Sequence, residues 1–151
     1  MTRLPAVGIH RAKLCIVILG AAWIGGCAFA TTDGNVAGSS SYGCLDDSKA
    51  CVEQRQASLK LLLADRGTAW VRQPATAEDY ASGVRLFAFK SRKKDLRCED
   101  LTRGRSEADA AGPSLMAAGG RLSPAQISRA KMFASEVSRE LATELRRRCR
   151  A

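Results

Sequence analysis

Among the residues of this 151-residue chain whose types could do chemistry are six cysteines, one histidine and several adjacent acids. Four of the cysteines, Cys44, Cys51, Cys98 and Cys149, lie beyond residue 43, and their spacing contains no C-x-x-C. Zinc and thioredoxin-type redox chemistry both lack their ligand pattern, so no metal or cofactor is expected. Paired carboxylates occur at Asp46/Asp47 and Glu99/Asp100. A hydrolase using paired carboxylates would need two acids about 5 to 10 Å apart across a cleft. Both pairs fall instead where helices are expected to begin, and there they stabilise the helix dipole. No G-x-S-x-G, G-x-G-x-x-G or P-loop is present, and the dense serines at 39–41 sit in an aperiodic stretch.

The histidine, His10, belongs to a leading segment that reads as a targeting signal. Arg3, Arg11 and Lys13 precede an apolar run over 14–24, which ends in Gly25 and Gly26 without one acid. This is the order of a signal peptide, and the run is short of the roughly 20 residues a membrane-spanning helix requires. Ile24-Gly25-Gly26-Cys27 resembles the lipobox of bacterial lipoproteins. The resemblance implies that 1–26 is removed, that Cys27 is acylated, and that the chain is held on the periplasmic side of the envelope, with Ala28 implying sorting to an outer membrane. Ala28-Phe29-Ala30 offers a competing cleavage site that would discard Cys27. Removal of 1–26 takes away His10 and three basic residues, leaving 21 basic against 15 acidic, a charge of +6. A mature chain without histidine has no Ser-His or Cys-His nucleophile and no histidine pH switch.

Residues 27–43 follow as the lipidated cysteine and a Gly/Ser-rich flexible tether, with a reach on the order of 20 to 24 Å. A domain spanning 44–151 then shows four helical segments. Residues 48–66, with a weak point at Gly67 and an extension to 71, carry Val52, Leu59, Leu62 and Leu63 on one face. Residues 77–90 open on the capping pattern Thr76/Asp79 and keep Tyr80, Val84 and Phe87 in helical register, although the run 84–89 also allows a strand. A short third helix starts at Cys98 and ends at Gly112-Pro113, before a long loop over 112–122. The last segment is the strongest. Ser123, Pro124 and Gln126 write its start, and Ile127, Ala130, Ala134, Val137, Leu141 and Leu145 draw one apolar stripe down a rod roughly 37 Å long.

The expected architecture is therefore an all-α, four-helix domain stapled by two disulfides. If the last two helices pair antiparallel, Cys98 at the start of one lies beside Cys149 at the end of the other, leaving Cys44 and Cys51 as a local clip. The same geometry would gather Lys90, Arg92, Lys93 and Lys94 with Arg146, Arg147 and Arg148 into one cationic pole. Glu136, Glu140 and Glu144 form an acidic row that reads as surface pairs with Arg139, Arg147 and Arg148. These features favour a non-enzymatic, lipid-anchored envelope module that binds a protein partner or an anionic polymer or membrane surface. The alternative is a small secreted hydrolase built on the carboxylate pairs. Nucleic acid is not an expected partner, because the aromatics fall on apolar helical faces rather than among the basic residues.

Overall fold

The computed structural model describes residues 40–149. The signal peptide, Cys27 and the tether up to residue 39 lie outside the described residues. Within them the chain is helical, with six α-helices, one 3-10 turn and no strand.

Helix α1 (Lys49–Ala64) begins under Ser48, whose hydroxyl accepts the Cys51 N–H at 3.3 Å, and Asp46 in turn accepts the Ser48 N–H at 2.8 Å. The helix ends earlier than the expected residue 66. Arg92 donates to the carbonyls of Leu62, Asp65 and Gly67, satisfying acceptors that a longer helix would have used. Helix α2 (Ala69–Arg72) is a separate single turn that buries Trp70 and Val71.

The second expected helix is two helices. In α3 (Ala77–Ser82) the capping box forms as the sequence indicates, with Thr76 Oγ1 accepting the Asp79 N–H and Asp79 accepting the Thr76 N–H. Gly83 then takes φ of +74°, a conformation costly for residues with a Cβ, and α4 (Val84–Arg92) restarts beyond it. The strand option for 84–89 is not adopted.

Helix α5 (Cys98–Ala117) is 20 residues long and runs through Pro113, where the sequence predicts a stop and a long loop. Proline's φ suits a helix, and its ring here lies on the exposed side; what it forfeits is the bond to the carbonyl four residues back. Continuing the helix buries Leu115 completely and brings Ala118 and Leu122 into the core, which outweighs that loss. The expected loop shrinks to a 3-10 turn (Gly119–Arg121). Four expected helices thus become six because a glycine and a short loop interrupt two of them.

Helix α6 (Pro124–Arg148) carries its capping box and proline at the predicted positions. Ala130, Ala134, Val137 and Leu141 are buried, Ile127 and Leu145 partly so, and the stripe lies mainly against α5. Cys149 caps the helix and is linked to Cys98, with Cα atoms 5.7 Å apart; Cys44 and Cys51 form the second pair at 5.5 Å. Helix α4 fills the space between the hairpin and α1, with Phe89 fully buried and its ring 4.7 Å from that of Trp70. Gly104 on α5 allows this approach, since a Cβ there would lie 2.5 Å from the Phe89 ring.

Residues 40–43 depart from the tether expectation. Ser40 and Gly43 exchange backbone hydrogen bonds at 3.0 and 3.2 Å, and the Ser41 N–H reaches Asp79 at 2.8 Å. This turn belongs to the domain.

Candidate functional site

The cationic residues predicted to form a binding pole are largely occupied in joining helices. Lys90 pairs with Glu136 and Glu140, and Lys93 pairs with Glu140. Arg92 caps α1, and Arg148 donates to the carbonyls of Lys93, Lys94 and Leu96, closing the end of α6 over the turn before α5. The two clusters do meet near the Cys98–Cys149 link, as the hairpin requires, but much of their charge is neutralised there. Arg146 bonds Thr143, Arg147 pairs with Glu144 within α6, and the Lys94 side chain is exposed.

The acidic row is likewise redistributed. Glu136 and Glu140 take Lys90 of α4 and Lys93 just beyond its end rather than an arginine of their own helix, and of the row Glu144 keeps Arg147 and Arg148. The Lys93 hydrogen bond holds the Glu140 carboxyl below its ordinary pKa, and the Arg147 bond does the same for Glu144. The Glu136 bond raises the Lys90 ammonium. Arg139, expected among the surface pairs, is left among the described residues with a hydrogen bond to Ser135 Oγ and no carboxylate.

The acid pairs do not converge on a cleft. Asp46 bonds the start of α1, and the Ser48 hydrogen bonds lower its pKa. Asp100 is buried against Arg97 while its neighbour Glu99 faces solvent. Cys44, Asp46 and Cys51 bring three ligand-type atoms within 4.8 Å of one another, yet both sulfurs are consumed in the disulfide.

The most buried ionic group was not anticipated from sequence. Arg85, 1% exposed, forms a two-point pair with Glu107 and donates to the carbonyls of Trp70 at 2.6 Å, Val71 at 3.2 Å and Gln73 at 2.7 Å, and to the Tyr42 hydroxyl at 3.1 Å. It ties the N-terminal turn and the end of α2 to α5. Burial pushes the Glu107 carboxyl above its ordinary pKa in spite of Arg85, and burial with the Glu107 charge lifts the Tyr80 phenol to about 12. Burial works against the Arg85 charge, but the Glu107 bonds outweigh it and its pKa rises. With every donor committed, this is a structural clamp.

A further surface feature is a groove at the α3–α4 break. A cleft of about 660 Å³ lies between this break, Asp47 before α1 and Arg55 on it, and the Arg129–Arg139 stretch of α6. An apolar extension of about 240 Å³ continues from it between α1 and Phe87. Arg55, Ser82, Gly83 and Phe133 line both, so the two form one groove. Gly83 lines its floor loosely, the atom nearest a Cβ there being a Phe133 ring carbon at 3.9 Å. Phe87, which the helical spacing placed on an inward face, is 43% exposed and stacks loosely on Phe133, centroids 6.3 Å apart. Met132 is 71% exposed on the same side. The sequence signal for this face was the pair Met132 and Phe133 beside the core stripe. The groove has apolar walls and guanidinium rims, suited to recognition. Of its hydroxyls, Ser82 donates back to the Asp79 carbonyl. Comparison with family models, with curated proteins and with solved structures gave no match for this chain.

Proposed function

We propose that this chain is a non-enzymatic lipoprotein of the bacterial envelope, anchored through Cys27 on the periplasmic side, in the outer membrane where there is one, and presenting its helical domain to a protein partner. The observation that carries this reading is the groove at the α3–α4 break, an exposed apolar surface flanked by arginines on a domain whose other polar groups are mostly committed to structure. Aromatic residues, methionine and arginine are the types enriched where proteins bind one another. The lipobox-like Ile24-Gly25-Gly26-Cys27 supports the anchor, and the helix-start roles of Asp46 and Asp100 weigh against the carboxylate hydrolase.

A second reading, attraction to an anionic envelope surface, draws on Lys94 and on Arg147, whose side chain is 61% exposed beside the Cys98–Cys149 end. Intact-mass measurement of membrane-extracted protein tests the anchor. A diacylglyceryl addition on a chain beginning at Cys27 is expected; an unmodified chain beginning at Thr31 overturns it. Replacing Lys94 and Arg147 with glutamine tests the second reading, which requires weaker, less salt-sensitive sedimentation with anionic vesicles. Replacing Glu99 and Asp100 with amides is expected to leave binding intact; loss of a hydrolytic activity in that folded variant would favour the enzyme.

A further inference from the structure

The geometry points to the groove between α1, the α3–α4 break and α6 as a docking site for a partner segment that carries an apolar anchor between two acidic ends. This rests on the binding-module reading above and adds the place and the chemistry. On α6 the residues Arg129, Met132, Phe133, Glu136 and Arg139 recur at three- and four-residue steps and form a second face beside the buried stripe. Its centre is apolar. Phe133 faces Phe87 beside Gly83, and Met132 lines the adjoining cleft.

The ends are cationic, and the ion pairs of the domain explain why. Lys90 takes Glu136, so that carboxylate does not neutralise Arg139. Arg129, 56% exposed, shares the Asp47 carboxylate with Arg55, at 3.4 and 3.7 Å. Three guanidiniums of the groove thus stand against the one remaining carboxylate, a surplus that an anionic ligand would complement. Arg129 and Arg139 are ten residues apart on one helix, about 15 Å along its axis at 1.5 Å per residue. A single lipid headgroup on an acyl chain places one anion at one end of an apolar body. Two cationic ends around an apolar centre instead match a peptide with acids on both sides of its anchor, as a helix laid in a groove presents them.

The test uses the full chain in phosphatidylcholine nanodiscs with ¹³C-methyl methionine. Met132 reports on the groove, and Met116, 62% exposed on α5 and outside it, is the internal control. The probes are a 12-residue helical peptide with a leucine–phenylalanine face and glutamate pairs at both ends, the same peptide with lysine pairs, and phosphatidylglycerol vesicles. The glutamate peptide is expected to shift the Met132 methyl saturably and leave Met116 in place. Arg129→Gln with Arg139→Gln, both at exposed sites, is expected to weaken it about tenfold, and Phe133→Ala comparably. Equal binding of the lysine peptide, or no loss in the double variant, overturns the inference. If vesicles move Met132 and the peptide does not, the groove contacts lipid, the inference falls and the wider binding reading stands. If neither probe moves it, the inference also falls, and the wider reading is decided separately by the Lys94/Arg147 variant and the anchor mass.

Discussion

At the scale of single residues, Arg85 shows what a buried charge does in a small helical domain. Its guanidinium is out of water, so its stability contribution is best read from what its removal leaves behind. Arg85→Ala strands the Glu107 carboxylate and three backbone carbonyls in the interior, and is expected to cost about 3–5 kcal/mol in urea denaturation. Replacing Arg85 and Glu107 together with Met and Leu is expected to recover part of that loss, because no charge is then left unpaired. Glu140 makes a milder, pH-dependent case. Its folded pKa lies below the ordinary 4.5, so the unfolded chain binds the proton more readily. The stability this gives is complete above the unfolded pKa and is lost as pH falls through the folded one. Denaturation midpoints of the native chain are therefore expected to drop on acidification below about pH 4.5, and Glu140→Gln to flatten that decline. Equal slopes for the two proteins would rule out the Lys90–Glu140–Lys93 contact as a source of stability.

At the scale of elements, one glycine and one proline set how the helices meet. Gly104 lets Phe89 pack directly on the α5 backbone, and the ring is fully buried with no room to retreat. Gly104→Ala is expected to destabilise the domain by about 1–3 kcal/mol, as overpacking of a filled core does. Pro113 is the opposite case. It occupies the exposed side of a continuous helix, where it forfeits one hydrogen bond, so Pro113→Ala is expected to stabilise by up to about 3 kcal/mol. A thermal scan that shows no gain for Pro113→Ala would mean that α5 ends near Gly112 in solution.

At the scale of the whole molecule, the two cysteine links hold a domain of modest core. Cys98 and Cys149 are 51 positions apart and close the long hairpin, whereas Cys44 and Cys51 are seven apart and clip the start of α1. In the chain-entropy treatment their removal costs about 4 and about 2.5 kcal/mol respectively. Paired Cys→Ser replacements compared by urea denaturation are expected to keep that order. The long link alone approaches the total stability usual for small domains, so its loss is expected to leave a considerable unfolded fraction at 37 °C.

The helical class, both cysteine pairings and the whole of α6 were legible in the sequence, because each depends on local spacing or on one antiparallel pairing. Ser123, Pro124 and Gln126 satisfy their own first turn, and the Ile127 to Leu145 stripe needs only some apolar surface to meet. What tertiary structure decided were the matters in which a residue's partner is distant in the chain. Pro113 ends a helix by local rules, and only burial of Leu115 against the core carries α5 past it. Lys90, Arg92, Lys93 and Arg148 look like a free cationic surface in one dimension. In three, Glu136, Glu140 and the carbonyl ends of neighbouring segments lie within reach and consume them. Among the described residues, the same pairings leave Arg139 without an acid beside Phe133 and Met132. A groove is a property of the gap between helices, and this one lies at the left-handed turn of Gly83, where α3 and α4 part, which no periodicity along the chain encodes.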